Sequence, residues 1–470
     1  MIYRKLTIII KKFTSISIIA FFLSNVISLP NTFASLKIVT PTSIDYDKAR
    51  ACLNKKFDLY PSIIFFCQTG EDVKQAITMA RNLGTKIRIR SGGHSYEAFS
   101  NGNNIAIIDV SPIQHFKLSP DKKTVDIGTG LVLLDIYNKL WESNLTIPGG
   151  SCPSIGISGL VLGGGISFAS RKMGLTCDSV VELEMVTAAG EILHIKPDNE
   201  YSDLFWACCG AGNGNFGVIT SIKFKTHVVD KVTVYRVKLE WHNIEEASDA
   251  WFGILKEAPR DLMMFLRFTK SGEQKILSSF GQFFGTPARL QEILAPLLKF
   301  ATIEPIEIKE LDYMTAIKYW GGTPFSPQYF KASSIFLTSP LSKAALKVIE
   351  QFLSNPQIKD VFVVIDSYGG AIKDTKRDNT AFIHRDKIAS VQMMVRWPDN
   401  KQRSEQEKLI YDLRESLNSE GKSAYANYPD IRLQNWQYLY YGDHYERLKK
   451  IKAKYDPDNL FTYEQAVELP

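Results

Sequence analysis

His94 and Cys152 are the two side chains of this sequence whose settings most invite chemistry. His94 follows two glycines in "RSGGHSYE", and Cys152 lies in "GGSCPSIGISGLVLGGG". Successive N–H groups in a glycine turn form a concave anion site. A pyrophosphate fits such a turn at Gly92 and Gly93, with Arg90 and Ser91 beside it and the imidazole one residue beyond. A lone Gly-Gly-His reads better as a packed core histidine in a tight turn. The second glycine-flanked loop reverses that preference, because two nucleophiles on pliant backbone can both bond to one ring. A flavin offers two such positions, its 8-methyl group for an imidazole and its C6 for a thiolate. The cofactor would then carry the redox chemistry, while the protein sets orientation and potential.

Another glycine motif does not survive its context. "GNGNFG" (Gly212, Gly214, Gly217) satisfies the dinucleotide fingerprint, but the β-like "VITSIKFK" follows it where a helix is required. These glycines instead let the backbone approach something flat or phosphorylated.

The elements that must position these loops read as an α+β lobe. "GEDVKQAITMARNLG" has helical spacing, with Val73, Ile77 and Ala80 on one face and Gly84 as the stop. "KIRIRSGG" alternates like a strand, and "NNIAIIDVS" is a buried one. "FKLSPDKKTVDIG" and "VVELEMVTAAGEILHI" are hairpin patterns, and "GLVLLDIYNKLWESN" is a helix. From about Lys231, amphipathic helices ("EEASDAWFGILKEA", "PARLQEILAPLLKFA", "SKAALKVIEQFLSN", "SEQEKLIYDLRESLN") interleave with strands ("MMFLRFTK", "ILSSFGQFFG", "DVFVVIDSYGG", "ASVQMMVRW"). That predicts a second lobe, a sheet with helices on one face. The expected divisions are 1–34, 35–230, 231–420 and 421–470, the last an aromatic-rich segment and helix that ends the chain.

Residues 1–34 read as a secretory signal: basic residues, the apolar run "FTSISIIAFFLSNVISL", then "TFAS" with cleavage after Ala34. The run is short for a membrane span, which needs about 20 residues. The expectation is a secreted or periplasmic protein beginning at Ser35, with no stable membrane insertion after cleavage. The formal charge of +6 includes Arg4, Lys5, Lys11 and Lys12, and no acid precedes Asp45. Without those four the balance is near neutral, which gives no footprint for nucleic acid. Six cysteines form no CxxC pair, and Cys208 and Cys209 are adjacent, so neither a zinc site nor a disulfide framework is indicated. Cys52–Cys67 is left as a possible bridge, and no metal site is expected.

Five blocks in order resemble the berberine bridge enzyme-like FAD-linked oxidases, whose FAD domain is of the vanillyl-alcohol-oxidase (PCMH) type. They are "RSGGHSYE", "GSCPSIGISGLVLGGG", "DLFWAC…GAGNGNFGVIT", "SYGG…TAFIHR…VQMMVRW" and "YYGDHYERLKKIKAKYDPDNLF…Q". The resemblance implies a two-subdomain FAD domain, a substrate domain of antiparallel sheet covered by helices, a segment 421–470 that returns to complete the active site and the FAD domain, and FAD bonded to both His94 and Cys152. It implies cofactor contacts from Arg90, Ser91, Gly92, Gly93, Ser95, Tyr96, Ile155, Gly156, Gly159, Gly217, Val218 and Ile219. Three departures stand out: Cys209 where the family has Arg or Leu, Ile383 where it has Pro, and His444 for the asparagine of "YYGxN", expected near the active site.

The implied reaction removes a hydride from an alcohol or hemiacetal carbon of a small-molecule substrate, then reduces O2 or a quinone-like acceptor. Tyr440 is the implied base, its pKa needing to fall from near 10; the alternative is that Tyr438, Tyr440 and Tyr441 form an aromatic patch for a ring substrate. Gln392 cannot abstract a proton but can orient a hydroxyl. Alkaloid-cyclising relatives carry glutamate there, so Gln392 argues against that reaction. Ile155, over the oxygen-reactive face, leaves oxidase and dehydrogenase both open. His384 is expected to be structural. Trp320, Tyr313 and Tyr329 suit stacking on a sugar, or on any ring. A tailoring oxidase of a secondary metabolite and a non-catalytic secreted flavin-binding protein are the competing readings.

Overall fold

The computed structural model describes residues 36–322 and 326–470. The signal reading on residues 1–34 therefore lies outside the described residues, as do residues 323–325.

Near the N-terminal side lies a four-stranded sheet of β1 (Lys37–Val39), β2 (Ile63–Phe66), β3 (Ile87–Arg90) and β4 (Ala106–Asp109), in the order β1-β2-β4-β3. β2 and β3 both run parallel to the central β4. Parallel neighbours need a crossover, and helix α1 (Gly70–Asn82) supplies it between β2 and β3. Thr69 caps α1, and Val73, Ile77 and Ala80 form its buried face, as their spacing predicts.

The next sheet is antiparallel: β5 (Phe116–Leu118) and β6 (Thr124–Gly128), then β8 (Val180–Thr187), β9 (Ile192–Ile195) and β10 (Gly217–Lys225), ordered β5-β6-β10-β8-β9. A short ribbon joins β7 (Leu145–Thr146) to β11 (His227–Val228). Both hairpins read from sequence are present, and Gly190 takes φ of 80° at the turn of the second. Helices α2 (Leu133–Trp141), α3 (Ile157–Leu162) and α4 (Ser202–Ala211) share this lobe's core.

Beyond Asp230 a seven-stranded antiparallel sheet takes over. Its members are β12 (Lys231–Leu239), β13 (Leu262–Ser271), β14 (Gln274–Phe283), β15 (Glu307–Asp312), β16 (Tyr329–Leu337), β17 (Asp360–Ser367) and β18 (Ala389–Trp397). Their order is β15-β12-β14-β13-β17-β18-β16. Alternation divides it into two faces. Val361, Val363, Ile365, Val391 and Met393 pack with helices α5 (Ile244–Glu257), α6 (Pro287–Leu298), α8 (Lys343–Ser354) and α9 (Arg403–Ser416). Helix α7 (Tyr313–Gly321) packs instead on the first lobe's core. Phe265, Phe362, Val364 and Met394 point to the opposite face, with Phe168. The expected sheet with helices on one face is therefore present, and its uncovered face is free to line a site.

The last segment binds the two lobes to each other. Ser423 O accepts from Phe336 N–H and Ser334 Oγ accepts from Tyr425 N–H, so the chain runs beside the β16 edge. After helices α10 (Trp436–Tyr441) and α11 (Tyr445–Tyr455), Phe461 pairs alongside Ile87 of β3. Lys452, wholly buried, holds that return: its ammonium reaches Asp456 at 2.7 Å and the carbonyls of Asn215 and Phe461 at 2.7 and 2.6 Å.

All six cysteines are free thiols. The possible Cys52–Cys67 bridge is not formed: Cys52 accepts a contact from Asn101 at 3.2 Å, and Cys67 is buried against the Phe65 carbonyl in β2.

Candidate active site

β3 delivers the first loop and the turn before α3 delivers the second. The two meet backbone to backbone. A Cβ on Gly92 would lie 2.4 Å from the Gly156 nitrogen, and one on Gly156 would lie 2.5 Å from the Gly92 nitrogen. No side chain larger than hydrogen fits at either position, and this crossing explains the paired glycine signals. Gly93 follows with φ of 68°, which turns the chain so that His94 enters the space beyond. Ser91 ties the loop to the Thr129 carbonyl at 2.7 Å.

The two nucleophiles converge on one hydroxyl. Ser154 Oγ lies 3.0 Å from His94 Nε2 and 3.6 Å from Cys152 Sγ. Burial lowers the His94 pKa to about 4, so the imidazole is neutral at ordinary pH and keeps a lone pair for bond formation.

Both side chains line a cavity of about 390 Å³. Ser91, Gly92, Gly93, Ser95, Tyr96, Ile155, Gly156, Gly159, Gly217 and Ile219 line it too, as do Gln392 and Tyr440. Two of the residues expected here do not. Arg90 turns into the sheet, where its Nε binds Asp109 at 2.5 Å, both side chains buried. Val218 is fully buried in β10, between the two residues that do line the cavity. The glycine crossing, the nucleophile pair and the glycine-rich, mainly apolar wall fit a long cofactor with a flat ring and a phosphorylated tail.

A second cavity, about 460 Å³, opens over the uncovered face of the large sheet. Ser151, Ile166, Gln392 and Tyr428 line both spaces, so the cavities adjoin there. Phe168 stacks on Trp320 at 4.5 Å and Phe265 on Phe280 at 5.0 Å to form its walls. Of the three aromatics expected to stack on a substrate, only Trp320 lines this space. Tyr313 is buried in the first lobe's core, and Tyr329 packs on the helix side of the sheet.

Gln392 donates to the Tyr96 hydroxyl at 3.3 Å, and Tyr96 stacks on Tyr428 at 6.0 Å, only 7° from parallel. Beside them is an acid that sequence reasoning missed. Asp366, on β17, is 4% exposed and accepts a hydrogen bond from Ser390 at 3.1 Å. Burial raises its pKa to about 7. The Tyr428 hydroxyl is pushed upward by its burial first and by the Asp366 charge second. An acid inside the otherwise apolar run "VVIDS" was the signal that could have found it.

Tyr440, the implied base, brings its ring but no free hydroxyl to the site. Its ring lines the first cavity, but its hydroxyl is fixed between two partners: it accepts from Asp430 N–H and donates to Gln465 Oε1, both at 3.1 Å. Burial raises its pKa further, opposite to what a base there requires. The aromatic-patch alternative also changes form: Tyr440 and Tyr441 both line the first cavity, while Tyr438 is exposed away from it. His444 lies outside both cavities, packed on Trp206 and 3.1 Å from Asp378. His384 is buried and stacked 4.0 Å from Phe336, and burial lowers its pKa to about 3, in keeping with a structural role.

An α+β fold of this topology, with two nucleophiles in crossed glycine loops and a roofed second cavity, defines a flavin-dependent oxidoreductase. Residues 61–196 match the FAD binding domain family and residues 424–468 the berberine and berberine-like family. The uncharacterised FAD-linked oxidoreductase YgaK of Bacillus subtilis is 36% identical over 438 residues, 92% of this chain and 96% of that one. The chitooligosaccharide oxidase of Gibberella zeae is 30% identical over 452 residues, covering 88% and 89%. The structure of Physcomitrella patens BBE-like 1 superposes with a TM-score of 0.87 at 27% identity, covering 93% of this chain and 97% of that one. The chain belongs to the berberine bridge enzyme-like FAD-linked oxidoreductases.

Proposed function

We propose that this protein oxidises a ring alcohol or hemiacetal, a sugar or a related compound, held in the second cavity against FAD bonded to His94 and Cys152. The observation that carries this reading is the cluster of Asp366, Tyr428, Gln392 and Tyr96 where the cavities adjoin. The chitooligosaccharide oxidase among the relatives supports a carbohydrate-like donor.

Bound flavin supplies the acceptor for the hydride leaving the carbinol carbon. The chain's own residues manage the proton. A phenolate would be unstable beside ionised Asp366, so Tyr428 accepts the substrate hydroxyl proton while passing its own to that carboxylate. A carboxyl near pKa 7 is well matched to this task at neutral pH. Gln392, held by Tyr96, orients the hydroxyl, and stacked Phe168 and Trp320 exclude water from the ring. Reducing equivalents then pass to O2 or a quinone-like acceptor, with Ile155 lining the cofactor cavity. Export with cleavage after Ala34 places the reaction outside the cytoplasm.

Anaerobic stopped-flow reduction of the bound flavin by a panel of sugars and ring alcohols tests the reading. Bleaching by some member of the panel is expected. A flavin that stays oxidised against every donor would leave a non-catalytic flavin-binding protein.

A further inference from the structure

Two cations line the second cavity without forming a salt bridge among the described residues, although Glu307 and Asp360 lie close enough to act on them. Arg236 on β12 and Arg267 on β13 point from the uncovered side of the sheet, on either side of β14 residues Ser278 and Phe280. Among the described residues no carboxylate lies within ion-pairing distance of either guanidinium. Glu307 stands opposite Arg236 in the strand register but is held by Lys309 at 2.6 Å and by the Tyr319 hydroxyl. Asp360 acts on Arg267 but pairs with Arg396 at 3.3 Å. Asp366 is bound to Ser390, and its pKa is set by burial rather than by these cations. Arg267 is largely enclosed, its Nε lacks a hydrogen-bond acceptor, and its charge rests on the Phe362 ring at 4.5 Å. Burial and its cationic neighbour Arg396 pull its pKa down to about 10, so it remains charged at neutral pH. Arg236 lies over Tyr319 and Trp320 at 5.1 and 5.8 Å, at the aromatic wall.

Arg236 is exposed at the cavity, whereas the largely enclosed Arg267 has only Asp360, shared with Arg396, as counter-charge, and a further anion beside it is favourable. Planar guanidinium forks match carboxylates in particular. We propose that the substrate is an acidic ring alcohol whose carboxylate is bound by Arg236 and Arg267, while its carbinol reaches Asp366 and Tyr428. This rests on reading the second cavity as the substrate site. The aromatic walls accept the intervening ring, which can be that of a uronic acid or an arene carboxylate.

The test uses the holoenzyme and two matched pairs: digalacturonate with neutral galactobiose, and 4-(hydroxymethyl)benzoate with its methyl ester. Binding is followed by perturbation of the flavin spectrum under nitrogen, and turnover by flavin bleaching. At least one acid should bind about tenfold tighter than its neutral partner, a preference that shrinks as salt rises. Which pair shows it identifies the ring. Arg267→Gln and Arg236→Gln should each bring the ratio toward one. Equal affinity within both pairs, or a preference that survives both substitutions, overturns the proposal. If Arg267→Gln fails to fold, Arg236→Gln and the salt dependence still decide it. An acid preference in binding with no bleaching by any compound would instead keep the anion site and defeat the alcohol-oxidation reading.

Discussion

Ionised Asp366 is costly to the fold and, in the proposed mechanism, necessary to the reaction. Folding raises its pKa from the ordinary 3.8 to about 7, so the native state holds this proton more tightly than the unfolded chain. Its contribution to stability is therefore complete at low pH and is lost as pH rises toward about 7. Asp366→Asn should raise the thermal midpoint at pH 8 and do so less at pH 4. The same substitution should slow anaerobic flavin reduction by about 10²–10⁴, while the wild-type rate climbs with pH through about 7. Tyr440→Phe, which removes only a tethered hydroxyl, should stay within about threefold of wild type; a loss as large as that of Asp366→Asn would return the base to Tyr440. Acid-precipitated protein should remain yellow, and so should His94→Ala and Cys152→Ala singly. Only the double substitution should release the colour, and release from wild type would defeat the bicovalent proposal. Ile155→Val should hasten reoxidation of the reduced enzyme by air without changing its reduction, if the extra methylene obstructs oxygen; equal reoxidation rates would clear Ile155 of that role. At this scale the glycine-borne nucleophiles were legible, because crossing backbones demand glycine in the sequence itself. The choice between Tyr428 and Tyr440 was not. Both lie among other tyrosines, and only the turn of α10 toward Asp430 shows which hydroxyl is already engaged.

Strand period carried most of the element-scale information. In "VQMMVRW" the strand period of two places Val391 with Met393 on one face and Gln392 with Met394 on the other, and both faces are observed. β12, β15 and β16 were not recognised as strands. β15 reads "EIKELD", an edge strand with little to bury, and β16 contains Lys331, Ser333 and Ser334, polar residues that periodicity counts as exposed. All three are buried. Lys331 is the reason β16 tolerates such a sequence: its ammonium binds Glu97, three residues past His94, and Asp430 at 2.5 Å. Lys56 completes the cluster, reaching Glu97 at 2.9 Å and Glu407 of α9 at 3.1 Å. Four segments distant in sequence are thereby fixed around the His94 loop. Lys331→Met leaves two buried carboxylates short of a cation and should cost about 3–5 kcal/mol, read as a large fall in thermal midpoint. A shift of a degree or less would mean that the cluster does not hold the loop.

For the molecule as a whole, lobe order and the one-sided sheet were readable because composition and spacing change together near Lys231. The partnership of the lobes was readable only through the family resemblance, since spacing says nothing of contacts between residues hundreds of positions apart. Export makes a prediction at the same scale: protein recovered from the culture medium or periplasm should begin at Ser35 by N-terminal sequencing, and an intact Met1 form found in membranes would mean an anchor instead. The return of the chain from Phe461 to β3 has a consequence in time. Arg88 and His94 stand in the first quarter of the sequence, yet Tyr463 and Gln465 close the same cavity. During synthesis the nucleophiles emerge hundreds of residues before the wall that completes their pocket. The cavity wall around His94 and Cys152 is complete only in a chain that extends through Gln465.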